Sequence, residues 1–273
     1  MHPVHSPALF PRWYSVGAAL VAVMLWSSAP LLAEFAKATP PLQLTVAACG
    51  AGWQLSVWMG IPLLIFGAVS TYFIGMRLAP AAEAALITYT WPVLFVLLSQ
   101  WSRFGRLRIA GVVGALIAFS GASLLLVPQT ISGGLGGATT GYALALLAAC
   151  CWAIYSWLSQ AAPVALTPLL PRLLLIACAI AVAASLILEG TLALPSGEAL
   201  LAGIALGLGP YGVAMVAWDK ALRWGHASLV GSLAYGVPIL AALLLVLANM
   251  SVLDWRLPAA TVLVVVGCLK AGR

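Results

Sequence analysis

The chain has 273 residues, of which 64% are hydrophobic and only 7% are charged. Soluble domains carry about a quarter charged residues, so this composition excludes a soluble globular fold and predicts a protein embedded in a lipid bilayer. The formal net charge of +6 is typical of basic loops on a membrane protein, and we expect no nucleic-acid partner.

Ten apolar segments follow one another in chain order. A helix needs about 20 apolar residues to cross a bilayer. On that measure, the predicted spans lie near 14–33, 41–52, 57–76, 81–100, 108–127, 141–160, 168–188, 198–221, 227–248 and 256–271. The predicted fold class is therefore an all-α integral membrane protein with ten transmembrane helices.

The two halves of the chain resemble each other. Trp152 and its neighbours at 150–156 resemble Trp26 and its neighbours at 24–28. Four further residues recur 146 positions later (223 − 77, 227 − 81, 235 − 89, 238 − 92): Arg77, Ala81, Tyr89 and Pro92 as Arg223, Ala227, Tyr235 and Pro238. Because five spans per half is an odd number, the second copy starts on the opposite side of the membrane. We predict two inverted five-helix repeats around a central cavity, at 1–130 and 141–273, joined by a glycine-rich connector at 131–140.

The lysine and arginine positions predict that both termini lie in the cytoplasm. In that orientation three basic residues fall outside, namely Lys37, Arg77 and Arg256. Nine fall inside: Arg12, Arg103, Arg106, Arg108, Arg172, Lys220, Arg223, Lys270 and Arg273. Basic residues concentrate in cytoplasmic loops, which favours this orientation. No small-residue cleavage site follows a short apolar core near the N-terminus, so we expect no removable signal peptide.

The spacing of the repeats indicates a deficit in the first half. Trp26 and Tyr89 are 63 positions apart (89 − 26), whereas Trp152 and Tyr235 are 83 apart (235 − 152). The difference of 20 (83 − 63) falls near the second predicted span, which is too short to cross a bilayer. Either that helix is truncated, or residues are missing from the numbering between 49 and 53. We favour missing residues.

The sequence offers little acid–base or metal chemistry. His226 is the one histidine beyond the first 12 residues, and we interpret it as a loop residue before a proton relay. The five cysteines lie in apolar runs without a Cys-x-x-Cys pair, so we interpret them as packing residues: Cys49, Cys150, Cys151, Cys178 and Cys268. We therefore expect no enzyme, no cofactor and no metal site.

Aromatic and small hydroxyl side chains lie at predicted mid-membrane depth, where their polar groups need partners. Hydrogen bonds between helices are one interpretation, and a cavity for amphipathic, partly aromatic solutes is the other. The candidate cavity residues are Trp26, Ser27, Tyr72, Tyr89, Trp91, Trp152, Tyr155, Ser156, Trp218 and Tyr235. Thr88 and Tyr211 lie at similar depth. Trp13, Tyr14, Trp101 and Trp255 lie at helix ends and fit the interfacial aromatic belt instead.

Two prolines and one acid are further candidates. Pro92 and Pro238 occupy equivalent places in the fourth and ninth spans, where each removes a backbone hydrogen bond. This symmetry predicts hinges for alternating access, although static bundles also contain kinked helices. Pro62 and Pro210 are additional candidate breaks. Glu83 opens the fourth span, where it could recognise a substrate ammonium group or act as a solvated helix cap.

Several segments together resemble a known family. They are 83–92 with its Tyr-x-Trp-Pro ending, 152–155, and the pair Ala217 and Trp218. With the repeat pattern, they resemble the EamA-like branch of the drug/metabolite transporter superfamily over nearly the whole chain. The resemblance implies a bacterial inner-membrane protein whose cavity is lined or closed by Glu83, Tyr89, Trp91 and Trp152. Asp219 stands where the resemblance predicts asparagine.

The resemblance also implies a function. It indicates a secondary transporter that exports aromatic and other neutral amino acids or related metabolites. The partners we expect are the small-molecule substrate and the lipid bilayer, with the protein as a monomer. Two alternatives remain open. A broad drug or metabolite exporter predicts a midplane acid that faces the cavity, and a non-transporting membrane subunit predicts a solidly packed centre.

Overall fold

The computed structural model describes residues 12–35, 60–130, 138–162, 165–190, 196–247 and 255–272. Within these ranges the secondary structure is helical, and they contain no strand. The helices are α1 (Arg12–Ser27), α2 (Ala29–Phe35), α3 (Gly60–Leu78), α4 (Ala81–Thr88), α5 (Trp91–Phe104), α6 (Ile109–Thr130), α7 (Thr139–Ala161), α8 (Leu170–Leu188), α9 (Gly197–Leu208), a π-helix (Gly209–Val213), α10 (Ala214–Trp224), α11 (Ala227–Leu233), α12 (Gly236–Leu247) and α13 (Arg256–Ala271). The predicted span at 41–52, the suspected gap between 49 and 53, and most of the connector lie outside the described residues.

Within the described ranges, seven helical segments are long and apolar enough to cross a membrane. They are Trp13–Leu32, Gly60–Leu78, Glu83–Phe104, Thr139–Ala161, Leu170–Leu188, Gly197–Trp224 and Ala227–Leu244. Two further predicted spans coincide with helices whose apolar stretch is shorter, Ile109–Leu125 and Arg256–Ala271. The all-helical membrane class is confirmed, whereas ten crossings, the inversion and the domain limits stay predictions.

Four of these segments are interrupted near their middle. Ser28 separates α1 from α2, and residues 89–90 separate α4 from α5. Residues 234–235 separate α11 from α12, and the π-helix joins α9 to α10. Helix interruptions at membrane depth are tolerated where they face protein or a cavity, so these breaks point to the part of the bundle that holds a site.

The residues at the breaks explain why the helices stop there. Ser28 and Thr90 each donate a hydroxyl hydrogen bond, at 2.7 Å, to the carbonyl three residues earlier. Such bonds compete with the helical backbone ladder. Pro92, Pro210 and Pro238 lack a backbone N–H, so the helical bond is lost at each. Pro92 and Pro238 lie in the first turns of α5 and α12, immediately after the breaks.

Small residues on α6 form an internal seam with α13. Ala118 and Ala122 are fully buried where α6 packs on α13. A Cβ atom added at Gly114 would lie 2.5 Å from the backbone nitrogen of Ala271, and one added at Gly267 would lie 2.6 Å from that of Ala118. Only glycine permits this close approach of the two backbones. In lipid, where the hydrophobic effect does not drive helices together, such close packing stabilises their association.

Candidate functional site

A cavity lies where the interrupted helices meet. Its volume, counted as the space open to the centres of water molecules, is about 80 Å³. This is room for several waters. Its walls are Trp26, Ala29, Pro30, Tyr72, Thr88, Tyr89, Trp91, Trp152, Pro210, Tyr211 and Val237. Each of the four interruptions therefore has a residue of the cavity wall at or within two positions of it.

The cavity walls carry no formal charge, since none of the eleven lining side chains is acidic or basic. Six of the eleven are aromatic, and three of these, Tyr72, Tyr89 and Tyr211, carry a phenol hydroxyl. Thr88 donates its own hydroxyl to the carbonyl of Ala84 at 2.9 Å. An isolated charge would be poorly compensated in such a site, whereas the ring of an aromatic solute has matching surface.

Trp26 is the centre of the aromatic wall. Its ring centroid lies 6.1 Å from that of Trp91, 6.0 Å from that of Trp152 and 5.0 Å from that of Trp218. Its indole N–H donates to the carbonyl of Pro210 at 2.8 Å. Pro210 lies in the π-helix, where the regular α-helical hydrogen-bond pattern is interrupted. One side chain therefore connects four membrane helices at the cavity.

Trp218 packs against two rings of the cavity wall, those of Trp26 and Trp91. The Trp218 ring is fully buried, packs 5.6 Å from the Trp91 ring, and donates its N–H to the hydroxyl of Ser156 at 3.1 Å. Tyr155 is also fully buried, with its ring 5.8 Å from that of Trp152. Tyr155, Ser156 and Trp218 are each fully buried, and we call these three residues the closed layer.

A buried carboxylate lies directly behind that layer. Asp219 is fully buried and accepts hydrogen bonds from the Ser159 hydroxyl at 2.8 Å and from the Thr167 backbone N–H and hydroxyl at 3.0 and 2.6 Å. The Nε of Arg223 lies 3.6 Å from the same carboxylate. Every oxygen of Asp219 thus has a donor, and the cluster connects α7, α10 and the segment before α8.

The predicted site residues are distributed over three environments. Trp26, Tyr72, Tyr89, Trp91 and Trp152 line the cavity. Tyr155, Ser156 and Trp218 form the closed layer behind it. Ser27, Glu83 and Tyr235 lie elsewhere: Ser27 donates to the carbonyl of Val23, Glu83 accepts from the hydroxyl of Tyr142, and the ring of Tyr235 packs against that of Phe119.

Tyr211 is a cavity residue that the predicted set did not include. Its ring lies nearly parallel to that of Trp152, with 6.4 Å between centroids and 11° between planes. Pro210, in the same π-helix, adds its carbonyl to the site. The available signal was a proline inside an apolar span, followed by an aromatic residue at mid-membrane depth.

Cysteine and metal chemistry does not enter this site. The described cysteines, Cys150, Cys151, Cys178 and Cys268, are all free thiols. No group of three or more histidine, cysteine, aspartate or glutamate side chains is placed to hold a metal ion in the part of the chain that the structure describes.

An apolar bundle whose helices are interrupted around a charge-free aromatic cavity has the architecture of a membrane transporter. Residues 139–271 match the EamA-like transporter family. The chain is 34% identical over 272 residues to the aromatic amino acid exporter YddG of Ancylobacter novellus, covering 92% of this chain and 94% of that protein. A solved crystal structure with 31% identity has a TM-score of 0.84 and covers 96% of this chain and 98% of its own.

The chain therefore belongs to the EamA-like transporter family. The family resemblance expected from the sequence is confirmed, and so is the exclusion of an enzyme. The protein is a multi-pass membrane transporter.

Proposed function

We propose that this protein exports aromatic and other neutral amino acids, or related metabolites, from the cytoplasm across the bacterial inner membrane by alternating access. The observation that carries the proposal is the cavity with tryptophan and tyrosine walls and no charged side chain. Ring faces complement an aromatic side chain, and a site without formal charge suits a solute without net charge. The name of the relative from Ancylobacter novellus supports the same substrate class.

The position of the cavity supports an outward-open, cytoplasm-closed state. With both termini in the cytoplasm, α1 and α3 run outward and α4 runs inward. Pro30 and Tyr72 then belong to the outer ends of their helices, and Tyr89 follows the outer half-helix α4. The Trp218 layer and the Asp219 cluster lie toward the cytoplasm. Substrate would leave from this state, after it had entered through the cytoplasmic side.

The helix pairing supports inverted repeats at 1–130 and 141–273. Under exchange of the two halves, α1 corresponds to α7, α3 to the α9–α10 segment, and α6 to α13. The packing of α3 on α7 therefore corresponds to that of α10 on α1, and both pairs are among the most extensive contacts. Exchange of the halves swaps α6 and α13, so the contact between these two helices is its own equivalent. Pro92 and Pro238, which follow equivalent breaks, are the proposed hinges.

Hydrogen bonds hold the cytoplasmic half-helix α5 against the second repeat. These contacts, the α5 polar cluster, join Ser99 to Gln160 Oε1 at 2.8 Å, Gln100 to the Ser228 hydroxyl at 3.0 Å, and Trp157 to the Ser102 hydroxyl at 2.8 Å. The equivalent outer half-helix, α12, has no polar side chain in Gly236–Leu247. The cytoplasmic side is thus closed by hydrogen bonds and the outer side can be closed only by apolar packing, so loss of the cluster must accompany substrate entry.

Weakening the α5 polar cluster is expected to increase the population that is open to the cytoplasm. The double variant Gln160→Leu with Ser228→Ala removes two hydrogen bonds, each with a net value of about 1 kcal/mol, which corresponds to a shift of about 10- to 30-fold. Spin labels at the exposed positions 107 and 168, with the native cysteines replaced, would report it as a longer distance between α5 and the segment before α8. Ser120→Ala removes a bond on the exposed face of α6 and is the matched control. Unchanged distances in the double variant would refute the gating role.

Counterflow in proteoliposomes tests the proposed function. Vesicles loaded with unlabelled phenylalanine should accumulate labelled phenylalanine, and external threonine should compete. A lipophilic cation should compete poorly, because no acid lines the cavity. Strong competition by the cation with none by amino acids would replace the proposal with a broad drug exporter. Absence of any flux, in vesicles where the protein is folded, would favour the non-transporting subunit.

A further inference from the structure

A basic and aromatic patch occupies the turn between α5 and α6. Arg103, Arg106 and Arg108 are all exposed and lie within six residues of one another. Four large apolar side chains of the same stretch are exposed as well, with these fractions: Trp101 66%, Phe104 48%, Leu107 45% and Ile109 79%. We call these seven residues the α5–α6 patch. A water-facing loop would not place so much apolar surface beside its charges.

The arginines of the patch converge on one ring. The guanidinium carbon of Arg103 lies 5.5 Å from the centroid of Phe104, and that of Arg108 lies 5.9 Å from the same centroid. Gly105, at φ 60°, makes the tight reversal that brings the two arginines together. Among the described residues, none of these three guanidiniums forms an ion pair with a carboxylate. Like charges gathered in this way favour a multivalent or anionic partner.

The carboxylates of the described residues lie away from the patch or are already engaged. Asp219 is on the same side of the bundle, but it is fully buried and its oxygens are bonded. Glu83, Glu189 and Glu198 lie in or beside helix ends on the opposite side, as the chain order of the helices requires. The patch therefore keeps its positive charge.

We propose that the α5–α6 patch binds the headgroup of an anionic phospholipid, with Trp101, Phe104, Leu107 and Ile109 in the acyl boundary and the three arginines on the phosphate. The exposed apolar side chains select a lipid as the source of that phosphate, because a dissolved anion cannot cover them. The site goes beyond the transported substrate and does not depend on its identity.

The patch is connected to the α5 polar cluster by a hydrogen bond. The backbone N–H of Arg108 donates to Gln100 Oε1 at 2.6 Å, and the amide of the same side chain donates to Ser228. A lipid that holds Arg103 and Arg108 therefore restrains the end of α5 in its closed position. Anionic lipid is expected to favour the state that is closed to the cytoplasm.

Lipid binding to the full-length protein in neutral detergent tests the site. Native mass spectrometry would compare phosphatidylglycerol with phosphatidylcholine for the wild type and for the triple variant R103Q/R106Q/R108Q. Each arginine near an anionic surface contributes about fivefold, so the triple variant should bind phosphatidylglycerol about a hundredfold more weakly. Arg256→Gln removes a single guanidinium 6.0 Å from the exposed Trp255 ring and should leave binding unchanged.

Two further arms keep the test decisive if the triple variant folds poorly. Raising the salt from 0.15 M to 1 M shortens the screening length from about 8 Å to about 3 Å and should weaken phosphatidylglycerol binding by the wild type itself. Inorganic phosphate should not displace the lipid. Equal binding of the two lipids, or salt-independent binding, would overturn the site, whatever the outcome of the counterflow assay.

Discussion

Replacing Trp152 by alanine is expected to reduce phenylalanine counterflow about tenfold. The substitution removes ring contacts of Trp152 with Trp26, at 6.0 Å, and with Tyr211, at 6.4 Å, and opens one wall of the cavity. Each aromatic contact contributes about 0.5–1.5 kcal/mol, and about 1.4 kcal/mol corresponds to a factor of ten. Initial rates in proteoliposomes at equal protein density measure the loss.

Controls separate this loss from a general effect on folding. Trp152→Phe keeps a ring in the wall and should retain most of the phenylalanine flux. Trp13→Ala removes a tryptophan of similar size that is 70% exposed and outside the cavity, and it should leave the flux unchanged. Threonine flux should fall less than phenylalanine flux in Trp152→Ala, because threonine has no ring to stack. Equal phenylalanine fluxes in Trp152→Ala and the wild type would remove the cavity from the transport pathway.

The second large effect concerns stability and falls on Asp219. Asp219→Ala is expected to lower the free energy of unfolding by about 3 kcal/mol, because it leaves the donors of Ser159 and Thr167 unsatisfied and Arg223 without its carboxylate. Chemical unfolding in detergent, followed by tryptophan fluorescence, measures this change. The closed layer that contains Trp218 should loosen at the same time.

Asp219→Asn separates charge from hydrogen bonding at the same position. The amide oxygen can face the two donors of Thr167 while the amide group donates to the Ser159 hydroxyl, so most bonds are kept. The loss should be about 1 kcal/mol or less. This agrees with the asparagine that the family resemblance predicts there. Glu198→Ala, an exposed acid, is the control and should have no effect. Equal losses for the alanine and asparagine variants would show that the charge itself stabilises the cluster.

Repeat positions in the sequence predict some of the cavity residues but not all of them. Trp26 and Trp152 stand out because both lie inside spans at equivalent repeat positions, and both line the cavity. Tyr89 and Tyr235 are equivalent by the same rule, yet only Tyr89 does so, while Tyr235 packs against Phe119. Under the proposed inversion, equivalent residues lie on opposite sides of the membrane midplane. A cavity that is open on one side contacts one copy and leaves the other packed.

Periodicity also failed to separate the cavity wall from the layer behind it. Tyr155 and Ser156 follow Trp152 by three and four positions, which places them on the same helix face one turn further along. Sequence spacing therefore groups all three, whereas the packing of Trp218 against Ser156 decides that only Trp152 reaches the cavity. Tyr211 lines the cavity from within the π-helix, whose residues depart from the regular helical period, so spacing does not predict its place in the site.

Composition and hydropathy determined that this chain lies in a bilayer and where most of its helices lie, because apolar length and backbone hydrogen bonding leave a membrane segment few other forms. The segments at 83–92 and 152–155 indicated the family by their resemblance to known transporters. The tertiary structure decided which rings line a common cavity and how donors from α7 and from the segment before α8 satisfy the Asp219 carboxylate. Those outcomes depend on contacts between residues far apart in the chain, and the free energies of such contacts are set by distances that no local pattern encodes.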